Sequence, residues 1–335
     1  MGNKPLLSIC IPTYNRQEYL KQCLDSIVNQ KGFDTEKIEI VISDNASPDK
    51  TNLLVKEYQK KYKNITYSRN DQNIWAILNL INIPDKANWE YLRIIWDDDK
   101  IFDWWLKIIY NILLKQRDIW WLFVDYSSYD EKTCTTTYIS WMDKMNQWCK
   151  NKIWKGRIIA IDWADLYRYI DHAPTFLPSL IMKKSFFQKD DLNLFLNNCY
   201  PHTGICTLNT KNQKIVLVNI LLIRWFIPEK NWWQRDWNYL FDATLDHLIM
   251  NFIIKNDARC PFNEKKYQEY KNIFLIWYIK LIVLSKAFWF KPQKKHIQNL
   301  SMIFWRGILF YFYLVPLLYL PFWKLFKIII PSRYF

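Results

Sequence analysis

Three consecutive aspartates, Asp97, Asp98 and Asp99, are the residues of this chain whose types and spacing best suit chemistry. Adjacent carboxylates repel one another by several kcal/mol unless a positive charge lies among them. Mg²⁺ or Mn²⁺ commonly supplies that charge, because a hard cation binds one or two carboxylates and completes its shell with substrate phosphates. On the tripeptide alone, a solvated acidic turn is an equally good interpretation.

The aspartates follow a segment that predicts a buried strand. Residues 91–95 are mostly apolar and β-branched, which favours a strand inside a sheet. Ligands bind at the carboxyl ends of the strands in open α/β sheets. The position of the three carboxylates therefore matches that of a ligand site.

The chain before this segment predicts two further strands, each followed by a helix. Residues 6–11 predict the first strand, and apolar residues at helical spacing predict the helix after it. A second strand over 38–42 leads to a helix that ends near residue 62 and that Asp49 or Ser47 can cap. This alternation, with polar residues at the strand ends, predicts an α/β fold with a doubly wound, mostly parallel nucleotide-binding sheet flanked by helices.

Four motifs in this order resemble those of the family 2 glycosyltransferases of the GT-A fold. They are SICIPTYNR at 8–16, SDNASPDKT at 43–51, Asn73 with Asn79, and the aspartates at 97–99. The resemblance implies the GT-A fold and inverting transfer of a sugar from a nucleoside diphosphate sugar. It also implies a divalent metal cofactor, Mg²⁺ or Mn²⁺.

The resemblance further implies roles for individual residues. Those that it places around the nucleotide and the sugar of the donor are Pro12, Thr13, Asn15, Arg16, Asp44, Asn73 and Asn79. Asp97 and Asp99 lie on the same side of an extended chain, because side chains alternate along it. We expect one of them to hold the metal and the other to reach the ribose or the sugar. Asp98 is expected to contact the sugar or to support its neighbours.

The acceptor half of the site is expected after residue 125. Residues 176–184 resemble the family's strand that lines the acceptor cleft. His202 stands roughly where many relatives place the acidic residue that deprotonates the acceptor hydroxyl, and a pKa near the operating pH suits imidazole for that work. Asp191, beside Asp190, is the competing carboxylate base. A structural histidine and a solvated acidic turn stay open, so the base is undecided.

Tryptophan stands where the family usually has glycine. Trp75, Trp89 and Trp96 occupy three such positions. The chain has 19 Trp and only 5 Gly, and together they make up about 7% of its residues, the ordinary glycine level. We therefore hypothesise that most of these tryptophans are UGA codons that the source organism translates as glycine. A genuine aromatic surface, for sugar stacking or for a membrane interface, is the alternative.

Three regions are predicted within the 335 residues. Residues 1–125 form the nucleotide-sugar half of the catalytic domain, 126–250 the acceptor half, and 251–335 a helical membrane-associating region. Seven scattered cysteines without a Cys-x-x-Cys pair indicate reduced thiols. No apolar leader precedes the first strand, so we expect a cytoplasmic location.

The C-terminal region predicts peripheral contact with the inner face of the cell membrane. Residues 270–335 contain no Asp or Glu but ten Lys and Arg, and residues 307–323 carry no charge. Basic residues beside apolar runs favour amphipathic or shallowly inserted helices on an anionic surface. A helical cap on the enzyme and a transmembrane span are the alternatives. Nucleic acid is disfavoured as a partner, because long aliphatic runs interrupt the basic residues.

The predicted function is metal-dependent, inverting glycosyl transfer to a lipid-linked saccharide acceptor, in surface polysaccharide synthesis. The C-terminal half resembles the abequosyltransferase-like branch of the family. Two other classes stay open. A metal-dependent nucleotidyltransferase would normally carry a Gly-rich phosphate loop after the first strand, which this chain lacks. A non-catalytic sugar-binding protein would be natural if every tryptophan were genuine.

Overall fold

A computed structural model describes most of the first 227 residues. The described residues are 7–115, 119–130, 134–137, 158–162, 177–186, 188–195, 201–209, 213–227 and 268. The chain divides into two compact units, one of residues 1–196 and 201–229, the other of residues 197–200 and 230–335. The described residues apart from Gln268 belong to the first unit. The predicted membrane-associating region, 251–335, therefore lies outside the description, and the three predicted region boundaries stay predictions.

Strands and helices alternate through the first 115 residues, as the sequence predicts. In chain order the elements are β1 (Leu7–Thr13), α1 (Gln17–Val28), β2 (Ile38–Asp44), α2 (Thr51–Lys61), β3 (Ile65–Arg69), α3 (Ala76–Asn82), a 3₁₀ turn (Ile83–Lys86), β4 (Tyr91–Ile94), β5 (Lys100–Ile101) and α4 (Trp105–Lys115). The later part adds β6 (Ile119–Asp130), β7 (Thr135–Thr137), β8 (Ile158–Asp162), a 3₁₀ turn (Leu177–Ser179), β9 (Leu180–Lys183), a 3₁₀ turn (Lys184–Phe186), α5 (Lys189–Leu194), α6 (Pro201–Leu208) and β10 (Lys214–Ile227).

The strands of the described residues form one sheet in the order β3-β2-β1-β4-β9-β6-β10-β5, with β7 paired to β6 and β8 paired to β10. Strands β3, β2, β1 and β4 are parallel. Strand β9 is antiparallel to both of its neighbours, β4 and β6. The sheet is therefore mixed. The prediction of a mostly parallel sheet is right for the nucleotide half and for the long β6–β10 pair, whereas β5, β7, β8 and β9 are antiparallel to their neighbours. A strand inserted against its neighbours reverses direction without a crossover helix, which periodicity in the sequence does not reveal.

Local sequence explains why the nucleotide half folds in this way. Strands β1 and β2 are buried at every residue, which fits their nearly continuous apolar runs between helical layers. Helix α1 turns one apolar stripe toward the core, formed by Leu20, Cys23, Leu24 and Ile27.

Asp49 holds the starts of two helices together. Its carboxylate accepts hydrogen bonds from the backbone N–H of Gln17, where α1 begins, and of Thr51, where α2 begins. Of the two predicted caps, Asp49 thus serves α2. Ser47 instead accepts a hydrogen bond from the backbone N–H of Asn15. The segments after β1 and after β2 are in this way bound to each other beside the strand ends.

Among the described residues, no helix has both the length and the hydropathy that a membrane crossing requires.

Candidate functional site

The predicted donor residues lie at the carboxyl ends of three adjacent parallel strands. Thr13, the last residue of β1, pairs in register with Asp44, the last residue of β2. Strand β4 lies on the other side of β1 and leads directly into the three aspartates. Because parallel strands end at one edge of the sheet, the structure gathers Thr13, Asp44 and Asp97 there, as predicted.

Arg16 is the counter-charge of the first two aspartates. Its guanidinium donates hydrogen bonds to Asp97 Oδ1 at 3.2 Å and to Asp98 Oδ2 at 2.6 Å. The hydroxyl of Thr13 donates to the other oxygen of Asp97, at 2.7 Å. Both oxygens of Asp97 are thereby engaged, while about a third of the Arg16 side chain stays exposed to solvent. The structure therefore places Arg16 beside the acidic residues, whereas the sequence analysis predicted only that it lies near the nucleotide and sugar of the donor.

Asp99 does not lie beside Asp97 on an extended chain, so that expectation is wrong. The chain turns at residues 97–98, and the backbone N–H of Asp99 donates to the carbonyl of Trp96. Asp99 Oδ2 accepts a hydrogen bond from the backbone N–H of Trp96, which points the carboxylate back along the turn. A turn closes here because three adjacent charges cannot all continue into the apolar sheet.

The other oxygen of Asp99 is the atom best suited to a metal. Asp99 is fully buried, and its Oδ1 has no hydrogen-bond partner among the described residues. A buried carboxylate oxygen in that state is a good ligand for a hard cation. No three His, Cys, Asp or Glu residues of the described chain are arranged to hold a metal by themselves. The donor set therefore fits Mg²⁺ or Mn²⁺, which take their remaining ligands from water and phosphate.

The buried position raises the pKa of all three carboxyls. Burial is the main cause for Asp97, whose pKa rises to about 6 even though Arg16 acts in the opposite direction. Burial also raises the pKa of Asp98. The pKa of Asp99 lies well above its ordinary value because of burial and the neighbouring charge of Asp98. The three groups are thus poised to bind a cation, which would restore their charged forms.

A second cation lies beneath the turn. Arg93 on β4 is fully buried, and its pKa is lowered to about 9 by burial. Its Nε donates to the carbonyl of Pro178, and its guanidinium lies 3.9 Å from the ring centre of Trp105. Its positive charge also lowers the pKa of Asp99, against the larger effect of burial. Arg93 therefore supplies part of the charge balance from the core side.

Asp44 is held by groups that the sequence analysis missed. Its Oδ2 accepts a hydrogen bond from the hydroxyl of Tyr67 at 2.6 Å, and Arg69 lies 3.8 Å from the same oxygen. Its Oδ1 accepts from the backbone N–H of Ser47. Burial and the bond to Asp44 raise the pKa of Tyr67. The sequence contained a signal for this, because Tyr67 and Arg69 are two residues apart at the carboxyl end of β3 and so lie on the same face of the strand.

Asn73 and Asn79 are close to Asp44, but their side chains contact protein. The amide of Asn79 is buried against Ser43, and the amide oxygen of Asn73 accepts a hydrogen bond from Asn45. Pro12 is buried in β1, and Asn15 adopts a φ of 54°, a left-handed conformation that asparagine tolerates. The structure therefore brings all the predicted donor residues to one edge of the sheet, and whether each touches a ligand stays a prediction.

The two candidate bases lie on the later helices. Asp191 on α5 is buried and accepts a hydrogen bond from Asn209 at 3.0 Å. His202 on α6 is also buried, and α6 reaches strand β9, where Cys206 Sγ lies 3.3 Å from Met182 Sδ. A side chain already engaged in the core suits a structural role as well as a catalytic one, so neither assignment is decided.

Asp125 is a carboxylate that the sequence analysis did not select. It lies on β6, is buried, and accepts a hydrogen bond from the backbone N–H of Tyr126. Strand β6 is antiparallel to β9, which is antiparallel to β4, so β6 and β4 run in the same direction. Asp125 therefore lies toward the edge of the sheet that carries the three aspartates. The available signal was an Asp that directly follows the apolar run of residues 119–124.

Several tryptophans occupy positions that suit glycine better. Trp104 has a φ of 71°, a backbone conformation that residues with a side chain rarely adopt. The indole N–H groups of Trp89, Trp105 and Trp121 are buried without a hydrogen-bond partner in the described residues. Buried indoles usually find a partner, so three exceptions are unusual. The stacking of Trp105 on Arg93 is the contact that a genuine tryptophan would best explain.

The comparisons with known proteins agree with this geometry. Residues 8–169 match the model of glycosyl transferase family 2. This part of the chain is therefore similar to that family. The match favours a glycosyltransferase over a nucleotidyltransferase, and it confirms the resemblance drawn from the four motifs.

Individual relatives are similar over part of their length. The abequosyltransferase RfbV of Salmonella typhimurium is 33% identical over 208 residues, which are 60% of this chain and 60% of that enzyme. The chain thus matches less than two thirds of that relative. A Campylobacter jejuni GalNAc(5)-diNAcBac-PP-undecaprenol β-1,3-glucosyltransferase is 36% identical over 98 residues, or 29% of this chain and 31% of that one.

The fold is also similar to that of a solved structure. S. aureus TarS 1–349 in complex with UDP-GlcNAc aligns with a TM-score of 0.57 at 17% identity, over 81% of this chain and 71% of that chain. At this identity the likeness shows the fold alone. It confirms a GT-A-like α/β architecture.

The buried charge of Asp99 predicts how the stability of the metal-free protein depends on pH. In the folded protein the pKa of Asp97 is about 6 against an ordinary value of 3.8, and that of Asp99 is raised too. Between the ordinary pKa and the raised pKa, the folded protein therefore binds more protons than the unfolded protein. The free energy of unfolding falls as the pH rises through this range. Asp99→Asn should therefore raise the melting temperature in EDTA at pH 7, and this gain should shrink as the pH falls toward 4, where the Asp99 carboxyl of the parent protein is protonated.

Thermal melts in EDTA at the two pH values measure this effect. The exposed Asp103 provides the control, since Asp103→Asn should leave both melting temperatures unchanged. A lower melting temperature for Asp99→Asn at pH 7 would mean that the Asp99 charge is well compensated in the fold.

Proposed function

We propose that this protein transfers a sugar from a nucleoside diphosphate sugar to a hydroxyl of a lipid-linked saccharide, in surface polysaccharide synthesis. The observation that carries the proposal is one sheet edge that holds Asp44 at one end and the acidic turn at the other, with Thr13 and Arg16 between them. The family match supports glycosyl transfer. The undecaprenol-linked saccharide in the name of the Campylobacter relative supports a lipid-linked acceptor.

The donor is proposed to lie across the strand ends. Its nucleoside would meet Asp44 together with Tyr67 and Arg69, which offer an acceptor and two donors side by side. A protein of this fold has been solved with UDP-GlcNAc, which supports a donor of this class. The diphosphate would then reach toward Arg16, the exposed cation of the acidic turn.

Asp97 and Asp99 are proposed to hold Mg²⁺ or Mn²⁺ beside that diphosphate. When bound, the cation supplies Lewis-acid stabilisation of the negative charge on the leaving group. Arg16 can exchange its partners there, because it is partly exposed and a phosphate oxygen accepts its hydrogen bonds as well as a carboxylate does. Asp98, which shares Arg16 with Asp97, would then be the carboxylate that keeps the guanidinium near the site.

The transfer is proposed to invert the anomeric carbon in a single displacement. A base removes the proton of the acceptor hydroxyl while its oxygen attacks from the face opposite the diphosphate. His202 and Asp191 are the proposed alternatives for that base. Imidazole accepts a proton directly near neutral pH, whereas a carboxylate does so only where burial raises its pKa.

Metal removal and one conservative variant test the proposed chemistry. Transfer should require Mg²⁺ or Mn²⁺, and Asp99→Asn should reduce kcat by on the order of 10² or more, because the charge on the leaving diphosphate is then poorly compensated. The assay follows release of the nucleoside diphosphate with and without EDTA, in protein carrying glycine at positions 75, 89 and 96. Asp103→Asn, in the exposed segment after β5, is the matched control and should keep full activity.

Full turnover by a metal-free preparation in EDTA would reject this mechanism. A cooperatively folded Asp99→Asn protein with unchanged kcat would reject the role given to Asp99.

We also propose that most of the tryptophans, including Trp75, Trp89 and Trp96, are glycine in the protein that the source organism makes. The low glycine content supports this proposal, since 5 Gly in 335 residues is far below the average glycine content of about 7%. The left-handed backbone at Trp104 and the unpartnered indoles of Trp89, Trp105 and Trp121 support it independently. Glycine at position 96 would leave the turn beside the aspartates open for close approach of a phosphate.

The gene and the native protein together decide this point. UGA should stand at codons 75, 89 and 96 and at most of the other sixteen tryptophan positions. Mass spectrometry of peptides from the source organism should give glycine there. UGG at the three motif positions would reject the recoding and would favour a genuine aromatic binding surface.

The basic C-terminal region is proposed to bring the enzyme to the inner face of the cell membrane, where a lipid-linked acceptor lies. Each Lys or Arg near an anionic surface contributes about 1 kcal/mol to binding. The C-terminal region supports this location, because it has ten basic residues and no acidic residue after residue 269. The apolar stretch 307–323 adds area-dependent insertion.

A chain that ends at Glu269 should lose vesicle binding and keep slow hydrolysis of the sugar donor, since water can replace the acceptor. Flotation with vesicles that contain anionic lipid measures the binding. High salt should release the full-length protein only in part, because insertion is not screened. Complete release by salt would reject inserted helices, and membrane binding by the shortened chain would place the determinant elsewhere.

A further inference from the structure

Asn79 is buried and its amide oxygen is fully occupied by protein groups. Only 2% of the surface of this residue is exposed to solvent. The oxygen Oδ1 accepts hydrogen bonds from the hydroxyl of Ser43 at 2.7 Å and from Asn70 Nδ2 at 3.1 Å. The nitrogen Nδ2 donates to the backbone carbonyl of Ser43 at 3.0 Å. An amide oxygen has two lone pairs, so Asn79 Oδ1 has no acceptor capacity left for a ligand.

Asn45 is engaged in the same way on the other side of Asp44. Its Oδ1 accepts from Asn70 Nδ2 and from the backbone N–H of Ile74, each at 3.0 Å. Its Nδ2 donates to Asn73 Oδ1 at 2.8 Å and to the carbonyl of Ile74 at 2.6 Å. All four hydrogen bonds that this amide can make are therefore made within the protein.

Ser43 and Asn45 are the two residues that flank Asp44, so the network encloses the segment that carries this carboxylate. The hydroxyl of Ser43 also accepts a hydrogen bond from Lys86 Nζ at 2.8 Å. At the other end, the backbone N–H of Asn45 donates to the carbonyl of Thr13, whose hydroxyl donates to Asp97. Hydrogen bonds thus run without a break from Asn79 to the acidic turn.

We infer that Asn79 is a positioning residue, which holds Asp44 at the distance from the acidic turn that the donor requires. It does so through Ser43 and Asn70, without touching the donor itself. This assignment replaces the expected place of Asn79 along the pocket wall. It rests on the proposed function, because it takes Asp44 to be a contact of the nucleoside diphosphate.

Asn79→Asp tests the inference with little change in volume. The new carboxylate keeps the acceptor for Ser43 and Asn70, but it sets an oxygen against the carbonyl of Ser43 where the amide nitrogen now donates. Asn64→Asp is the matched control, because Asn64 Nδ2 donates to the carbonyl of Ile38 at 2.8 Å, at the opposite end of the same strand β2. Each variant removes one hydrogen bond from a side-chain amide to a backbone carbonyl of β2, and only the bond of Asn79 is next to Asp44.

The measurements are the KM for the donor, kcat, and the Kd of the free nucleoside diphosphate by calorimetry, in the full-length chain at a temperature where each variant is folded. Asn79→Asp should raise the donor KM and the Kd about tenfold with kcat within about twofold, the pattern of lost uniform binding. Asn64→Asp should leave all three within about twofold. Ser43→Ala, which removes the hydroxyl but keeps the backbone carbonyl, should raise the KM in the same direction by a smaller factor.

Equal changes in Asn79→Asp and Asn64→Asp would show a merely structural role and overturn the inference. A fall in kcat at unchanged KM would overturn it too, since Asn79 would then act on the reacting atoms. If the parent chain binds the nucleoside diphosphate and Asn79→Asp binds it equally well, the positioning role alone is rejected. A folded parent chain that binds no nucleoside diphosphate at all would reject the proposed function and the inference together.

Discussion

Burial of three carboxylates at the end of β4 is the constraint on which the site depends. Asp97 and Asp99 are almost fully buried, and the described cations that act on the turn are one partly exposed arginine, Arg16, and one buried arginine, Arg93. Burial raises the pKa of each carboxyl, which measures how poorly the fold alone compensates the charge. A fold that keeps such an arrangement is adapted to bind something positive.

The two ends of the proposed donor site are built by different physical means. The acidic end is held by charged hydrogen bonds from Arg16, which are strong but can exchange partners when a phosphate or a cation arrives. At the other end, neutral amides that bond within the protein hold the two residues that flank Asp44, and the Asp44 carboxylate accepts a hydrogen bond from the Tyr67 hydroxyl. A fixed end beside an exchangeable end suits a nucleoside diphosphate sugar, because charge develops on the diphosphate when its bond to the sugar breaks, while the nucleoside at the fixed end is unchanged by the reaction.

The sequence predicted the nucleotide half because its signals are local. Continuous apolar runs gave β1 and β2, one apolar stripe gave α1, and the polar residues after each strand gave Asp44 and the aspartates. Tertiary pairing decided what the sequence could not show. Thr13 hydrogen-bonds to Asp97 across 84 positions in the chain, and Asn79 bonds to Ser43 across 36. Local patterns carry no information about such contacts.

The antiparallel insertion of β9 was hidden for the same reason. Its first three residues are buried between two strands from distant parts of the chain, and its direction follows from those partners. A turn at Asp97–Asp99 was one of the two interpretations that the tripeptide left open, but the placement of Asp97 and Asp99 on one side assumed that alternation along an extended strand continues through the charged residues. Charge repulsion and the hydrogen bond from the Trp96 backbone to Asp99 end the strand instead.

A crystal structure of the protein with Mn²⁺ and a nucleoside diphosphate, measured at the manganese absorption edge, would show whether the buried aspartates bind a metal beside the diphosphate. The anomalous signal locates the cation without regard to the surrounding chain. We expect one peak beside Asp99 Oδ1 and Asp97, near the diphosphate, and a guanidinium of Arg16 turned from the carboxylates toward a phosphate. A nucleotide bound with the Arg16 pairs intact and no peak at the aspartates would contradict it.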